Sequence, residues 1–197
     1  MKDLSIIITN YNKAPMIDFL LHYFNRHWSD RIEVLCIDDC STHMLDYPLS
    51  YGNIVHLRNT TNKGIGHVRQ QGLDWATGRY VLFVDGDDIV QEDYLPTILT
   101  AIDEHPADVL EFWAINWPEG YIFKSEPMCW NKVYKREYLL EHKITFPNRR
   151  GSEDLIFNEK VYKHHPSVYQ IEKIIYIYNT VTDGLTHKYN GYGSIAQ

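Results

Sequence analysis

The chain has 197 residues, enough for one domain with a sizeable core, or for one domain and a small appendage. Its formal net charge of −7 argues against a nucleic-acid-backbone binder, which would carry a basic face. No apolar run approaches the length of a membrane-spanning helix, and Met1 to Ile6 lacks the apolar stretch of a signal peptide. Three cysteines (Cys36, Cys40 and Cys129) show no paired spacing, and Cys36 and Cys40 are too few ligands for a zinc site. A reducing, cytoplasmic setting is therefore expected, and peripheral association with a membrane stays compatible with it.

The elements alternate along the first half. Leu4 to Thr9 is an apolar run and reads as a buried strand ending in polar, turn-prone Thr9-Asn10-Tyr11-Asn12-Lys13. Pro15 fits a first helical turn, and Met16, Phe19, Leu20, Tyr23 and Phe24 follow at helical spacing. Ile32 to Ile37 is a second strand running into Asp38-Asp39-Cys40-Ser41-Thr42, and Asn53 to Arg58 is a third. Val68, Gln71, Gly72, Trp75 and Ala76 mark a helix that stops at Thr77-Gly78. Tyr80 to Val84 is a strand apolar on both faces, followed by Asp85-Gly86-Asp87-Asp88. A helix over 92–104 stops before Pro106, and Val109 to Ile115 is another strand.

Strand and helix in alternation imply a mostly parallel, Rossmann-like sheet with helices on both faces, where ligands bind beyond the carboxyl ends of the strands. Three of those ends carry polar clusters at Thr9–Tyr11, Asp38–Asp39 and Asp85–Asp88. Asp85 and Asp87 stand two positions apart, so in extended backbone they face the same way about 6–7 Å apart, a spacing that suits one divalent ion. A calcium loop does not fit, because Ile89 occupies its fifth position and no glycine its sixth. Asp88 is expected to cap the next helix. Beyond Ile115 the alternation fades: 117–127 reads as an irregular hairpin or loop, 128–137 mixes aromatic and basic residues, and Gly151 to Phe157 opens a helix with Ser152 at its N-cap. Ile171 to Tyr178 is a late strand, and Thr186-His187-Lys188 lies in the tail. Residues 1–115 read as an α/β core, with 116–197 a small extension of the same domain.

Together these segments resemble glycosyltransferase family 2, the inverting sugar-nucleotide-dependent transferases of the GT-A fold. The matching stretches are Ser5 to Lys13, Ile37 to Thr42, Asn62 to Gly66 with Arg69, Gly78 to Asp88, Trp130 to Glu137, and Glu153-Asp154. Cys40 stands where a small, glycine-like residue is usual, Asn10 replaces a frequent proline, and the chain is shorter than many members.

The resemblance implies that Thr9, Tyr11, Asp39, Arg69 and Asp85 serve the nucleotide of a UDP-type sugar donor. A base can stack on Tyr11, and the Asp39 carboxylate can accept a base N–H. Asp87, with Asp85 as a second candidate, would hold Mn²⁺ or Mg²⁺ against the diphosphate. Asp154 would be the general base on a saccharide or glycoconjugate acceptor, with Glu153 as its neighbouring candidate. His187 is a further candidate for metal or diphosphate, and Lys132, Arg136, Arg149 and Arg150 are candidates to offset diphosphate charge. Two other readings are open on the residues alone. Strand-Asp-x-Asp also resembles the nucleophile loop of haloacid-dehalogenase-like phosphatases, and the same acids could belong to a sugar-nucleotide-binding module without turnover.

Overall fold

The computed structural model describes residues 2–13, 16–42, 54–149 and 151–180. The first strand, β1 (Leu4–Asn10), is buried along its whole length. α1 (Met16–Arg26) leads from it to β2 (Ile32–Asp38), which runs parallel to β1 in unbroken register from Leu4↔Ile32 to Asn10↔Asp38. β3 (Ile54–Arg58) adds to the outer edge of β2. α2 (Ile65–Trp75) then returns the chain to β4 (Tyr80–Asp85) on the opposite side of β1. A parallel strand between two parallel neighbours has no wet face, which is why these segments are apolar runs rather than alternating ones.

β5 (Ile89–Val90) and α3 (Tyr94–Glu104) precede β6 (Val109–Trp117) and its short partner β7 (Ile122–Phe123). β8 (Lys132–Lys135), α4 (Arg136–Glu141), α5 (Glu153–Tyr162) and β9 (Val168–Asn179) complete the chain order. The described strands form one sheet in the order β3-β2-β1-β4-β8-β6-β9-β5, with β7 on β6. β8 enters antiparallel between β4 and β6, so β6 and β9 run parallel to the first four strands. The second half of the chain thus extends the core sheet itself. No helix among the described residues is long and apolar enough to cross a membrane.

Side-chain parity fixes which face carries the chemistry. Leu4, Ile6, Ile8, Tyr80, Leu82 and Val84 pack with α1 and α3, whereas Ile7, Val81 and Phe83 pack with α2, α4 and α5. Continuing the alternation, Thr9 and Asp85 fall on the α2/α5 side. Phe83 anchors that face, with Phe146, Phe157 and Tyr134 around it. Gly72 lets α2 approach the sheet, since a Cβ there would lie 2.4 Å from Ile7 Cγ2.

Candidate active site

The acid loop after β4 is held from several sides. Gly86 N–H donates to Thr9 O (2.9 Å), and a Cβ on Gly86 would meet that same oxygen at 2.5 Å, so only glycine permits the closure. The Asp85 carboxylate receives Thr9 Oγ1 (3.1 Å) and, on both oxygens, Arg69 Nη2 (2.7 and 3.0 Å). Arg69 projects from α2, is 2% exposed, and uses its other terminal nitrogen on Glu153 at the start of α5. One planar guanidinium therefore ties the end of β4 to the start of α5, a geometry that lysine could not supply. Burial pulls the Arg69 pKa down, but Asp85, Cys129 and Glu153 more than offset this and hold it well above its ordinary value.

Glu153 and Asp154 are both buried and occupy the first turn of α5. Ser152, expected as the cap, adopts a left-handed conformation (φ 55°) and makes no capping bond; the Leu155 N–H is instead taken by Asp154 Oδ1 (2.9 Å). Burial raises the carboxyl pKa of Asp154 and of Glu153, with Arg69 opposing the shift in each. Their environments differ in one respect. Glu153 is held directly by the Arg69 guanidinium, whereas the Asp154 carboxylate is met by main-chain amides, the Leu155 N–H among them.

Where the nucleotide is expected, Thr9 is buried and bonded to Asp85, and Tyr11, two residues further on, is 47% exposed. The Asp39 carboxylate accepts Asn59 Nδ2 (2.9 Å), Lys63 N–H (3.0 and 3.1 Å) and Gly64 N–H (2.7 Å), and so organises the entry to α2. Cys40 takes φ 67°, the left-handed region that glycine enters most easily, which is the physical reason a glycine-like residue suits this position. Arg69, expected near the base, instead lies buried beneath the acidic floor, where it serves Asp85 and Glu153.

Asp87 projects at the rim, with a side-chain exposure of 16% and an ion pair to Lys13 (2.7 Å). Among the described residues no group of three His, Cys, Asp or Glu side chains could hold a metal by itself. One rim carboxylate beside a diphosphate is nonetheless a common arrangement for Mg²⁺, which takes one or two protein carboxylates and completes its shell with phosphate and water. Asp87 fits that role; Asp85, with both oxygens occupied by Arg69, fits a positioning one. The pairing with Lys13 was not anticipated from the sequence, though Lys13 closes the first matching stretch.

Two other expected residues are placed elsewhere than the sequence suggests. Asp88 does not cap the next helix: α3 starts six residues later with Asp93 at its N-cap, and the Asp88 carboxylate is buried against Tyr176 and Asn179. Lys132 is 1% exposed, and its ammonium donates to the carbonyls of Glu126 and Met128 (3.1 Å for the latter) and to Asn131 Oδ1 (2.8 Å), so all three of its hydrogens are used inside the protein. His187 and Arg150 lie outside the described residues.

Residues 5–165 match the family model described as Glycosyl transferase family 2. The poly(ribitol-phosphate) beta-N-acetylglucosaminyltransferase TarS of Staphylococcus aureus is 28% identical over 209 aligned residues, which take in 93% of this chain and 36% of TarS. The putative glycosyltransferase EpsH of Bacillus subtilis is 24% identical, over 94% of this chain and 63% of that protein. The chain thus spans between a third and two thirds of the length of these curated relatives. Among solved structures, S. aureus TarS 1-349 in complex with UDP-GlcNAc superposes with a TM-score of 0.80 at 26% identity, covering 93% of this chain and 60% of that one. A Pyrobaculum calidifontis mannosyltransferase solved with GDP-Man and Mn²⁺ shares the fold, with a TM-score of 0.70 at 19% identity over 94% of this chain and 59% of that one. With the acid loop, the buried arginine and the α5 carboxylates in the matched span, the chain belongs to glycosyl transferase family 2.

Proposed function

We propose that the chain is the donor-binding and catalytic unit of an inverting glycosyltransferase that moves a sugar from a UDP-sugar to a hydroxyl of a saccharide or glycoconjugate acceptor. One observation carries the reading: Arg69 clamps Asp85 to Glu153 and leaves the adjacent Asp154 with acceptor capacity on the same side of the sheet. A donor-side acid and a candidate base are thereby fixed relative to each other by a buried ion triad. The UDP-GlcNAc complex of TarS supports the choice of nucleotide, and that relative's poly(ribitol-phosphate) acceptor supports a glycoconjugate.

In this scheme the nucleoside lies across the carboxyl ends of β1 and β2, with Tyr11 offering an exposed ring for stacking, Thr9 supporting Asp85 and Asp39 holding the loop that borders the base. Asp87 would hold Mn²⁺ or Mg²⁺, which when bound would supply charge stabilisation to the departing diphosphate. Asp85 is oriented by Arg69, which holds both of its oxygens. Asp154 takes the proton of the acceptor hydroxyl as its oxygen attacks the anomeric carbon from the face opposite the diphosphate, so the configuration inverts. Residues 1–115 supply the donor side, and the portion from residue 116 onward the base and the acceptor side. The phosphatase alternative is disfavoured because an Asp85 with both oxygens held by a buried guanidinium is poorly placed to attack phosphorus.

The direct test is thermal unfolding with and without UDP, each in Mn²⁺, Mg²⁺ or EDTA, followed by a panel of sugar nucleotides screened for donor hydrolysis. Stabilisation by UDP that requires the divalent ion is the expected result. The absence of any shift with any nucleoside diphosphate refutes the proposal.

A further inference from the structure

A second polar network lies on the other side of the acid loop, where the end of β9 meets it. Tyr176 Oη accepts the Asp85 N–H (3.3 Å) and donates to Asp88 Oδ2 (2.6 Å). The other oxygen of Asp88 accepts the Asn179 N–H (2.9 Å), and Asn179 Nδ2 donates to Asp87 O (3.1 Å). The Asp88 N–H closes back on Asp85 O (3.1 Å). Every residue of the Asp85-Asp87-Asp88 set is therefore reached, through its main chain or its carboxylate, from two residues of β9. The anchor on the β9 side is rigid, since the Tyr176 ring is fully buried and stacks on Trp130 at 5.1 Å with 7° between planes. Asp88 itself is 2% exposed, so its carboxyl group faces protein partners and not solvent or a ligand. A buried carboxylate this close to two others is costly, and stability alone would be served as well by an apolar side chain of similar volume.

We propose that Asp88, Tyr176 and Asn179 form a positioning latch that sets the main chain carrying Asp85 and Asp87, so that donor binding at the acid loop and order at the end of β9 are coupled. The latch rests on the donor site described above. It assigns Asp88, the one acid of the loop that no ligand can reach, to holding the two that face the site. Because coupling between sites is reciprocal, a ligand that tightens the acid loop must also tighten the end of β9.

The test uses the whole chain and Mn²⁺ with UDP as probe, read by calorimetric titration and by hydrogen exchange of the amides of residues 176–180. The wild type should bind and gain exchange protection at Asn179. Tyr176→Phe keeps the stacked ring and removes only the hydroxyl; it should weaken Mn²⁺–UDP binding about tenfold, the scale of one lost hydrogen bond, and abolish the added protection. Asn179→Ala, which spares the ring and the Asp88 carboxylate, should act in the same direction. A wild type that binds no Mn²⁺–UDP removes the donor site and the latch with it. A wild type that binds, with both variants unchanged in affinity and in protection, overturns the latch alone. A variant that loses thermal stability but keeps wild-type affinity and protection also overturns it, because that is the signature of packing.

Discussion

Arg69→Met tests the ion triad most directly, because methionine approximates the arginine stem and removes only the charged fork. Breaking a buried pair by deleting one partner typically costs about 3–5 kcal/mol, since the remaining charge stays buried and uncompensated. In a chain of this size each kcal/mol moves Tm by about 2–4 °C, so Arg69→Met should unfold roughly 6–20 °C lower. The structure also says which carboxylate causes the loss. Asp85 has a side-chain exposure of 17% and can take up water, whereas Glu153 has 6% and cannot. Glu153→Gln should therefore rescue Arg69→Met more than Asp85→Asn does, and the Arg69→Met/Glu153→Gln pair should show a coupling of about 1–3 kcal/mol in a urea-denaturation cycle. Single-variant losses that simply add, within about 0.5 kcal/mol, would refute the triad.

Asp154→Asn should lower transfer by about 10²- to 10⁴-fold while Mn²⁺–UDP affinity holds, and undiminished turnover would remove Asp154 as the base. The pH dependence follows from the same residues. Burial raises the carboxyl pKa of Glu153 and of Asp154 above their unfolded values, so the folded state binds more protons. Their contribution to stability is fully present below the ordinary carboxylate range and is lost as pH rises through the raised values, while activity grows over that window as Asp154 ionises. Parallel pH profiles of Tm and of initial rate, compared with Asp154→Asn, check both limbs. Cys40→Gly should raise stability by up to about 1 kcal/mol by relieving the left-handed backbone, measured by urea denaturation; a loss would show that the Cys40 Sγ contact to Thr60 O matters more.

Much of the first half was legible because each element carries its own signal. β1 and β4 are apolar runs that end in chemistry-bearing residues, and the helical spacing of Leu20, Tyr23 and Phe24 matches the face that α1 buries. The second half was less so, since its strands are defined by distant partners. Four residues, Lys132 to Lys135, become a central strand only because β4 and β6 flank them, and their two lysines read as surface. The same holds for Arg69: on a helix its charge suggests solvent, and its burial depends on carboxylates 16 and 84 residues away. Asp88 looked like a cap for want of any local sign that β9 would supply Tyr176 and Asn179. The acids carried a local signal, as did Thr9 and Arg69 through the matched stretches, whereas the pairing of Lys13 with Asp87 and of Tyr176 with Asp88 had none.

The late arrival of β8 has a consequence for biosynthesis. Until residues 132–135 leave the ribosome, β4 has a partner on one flank and a bare row of amides and carbonyls on the other, along a strand that ends up almost wholly dry. A nascent chain of about 120 residues is thus a sticky half-sheet awaiting its closing piece, the kind of surface that chaperones shield. Fragments trimmed before that piece should be recovered as aggregates, and the portion that precedes β8 is not a module that can be lifted out by itself.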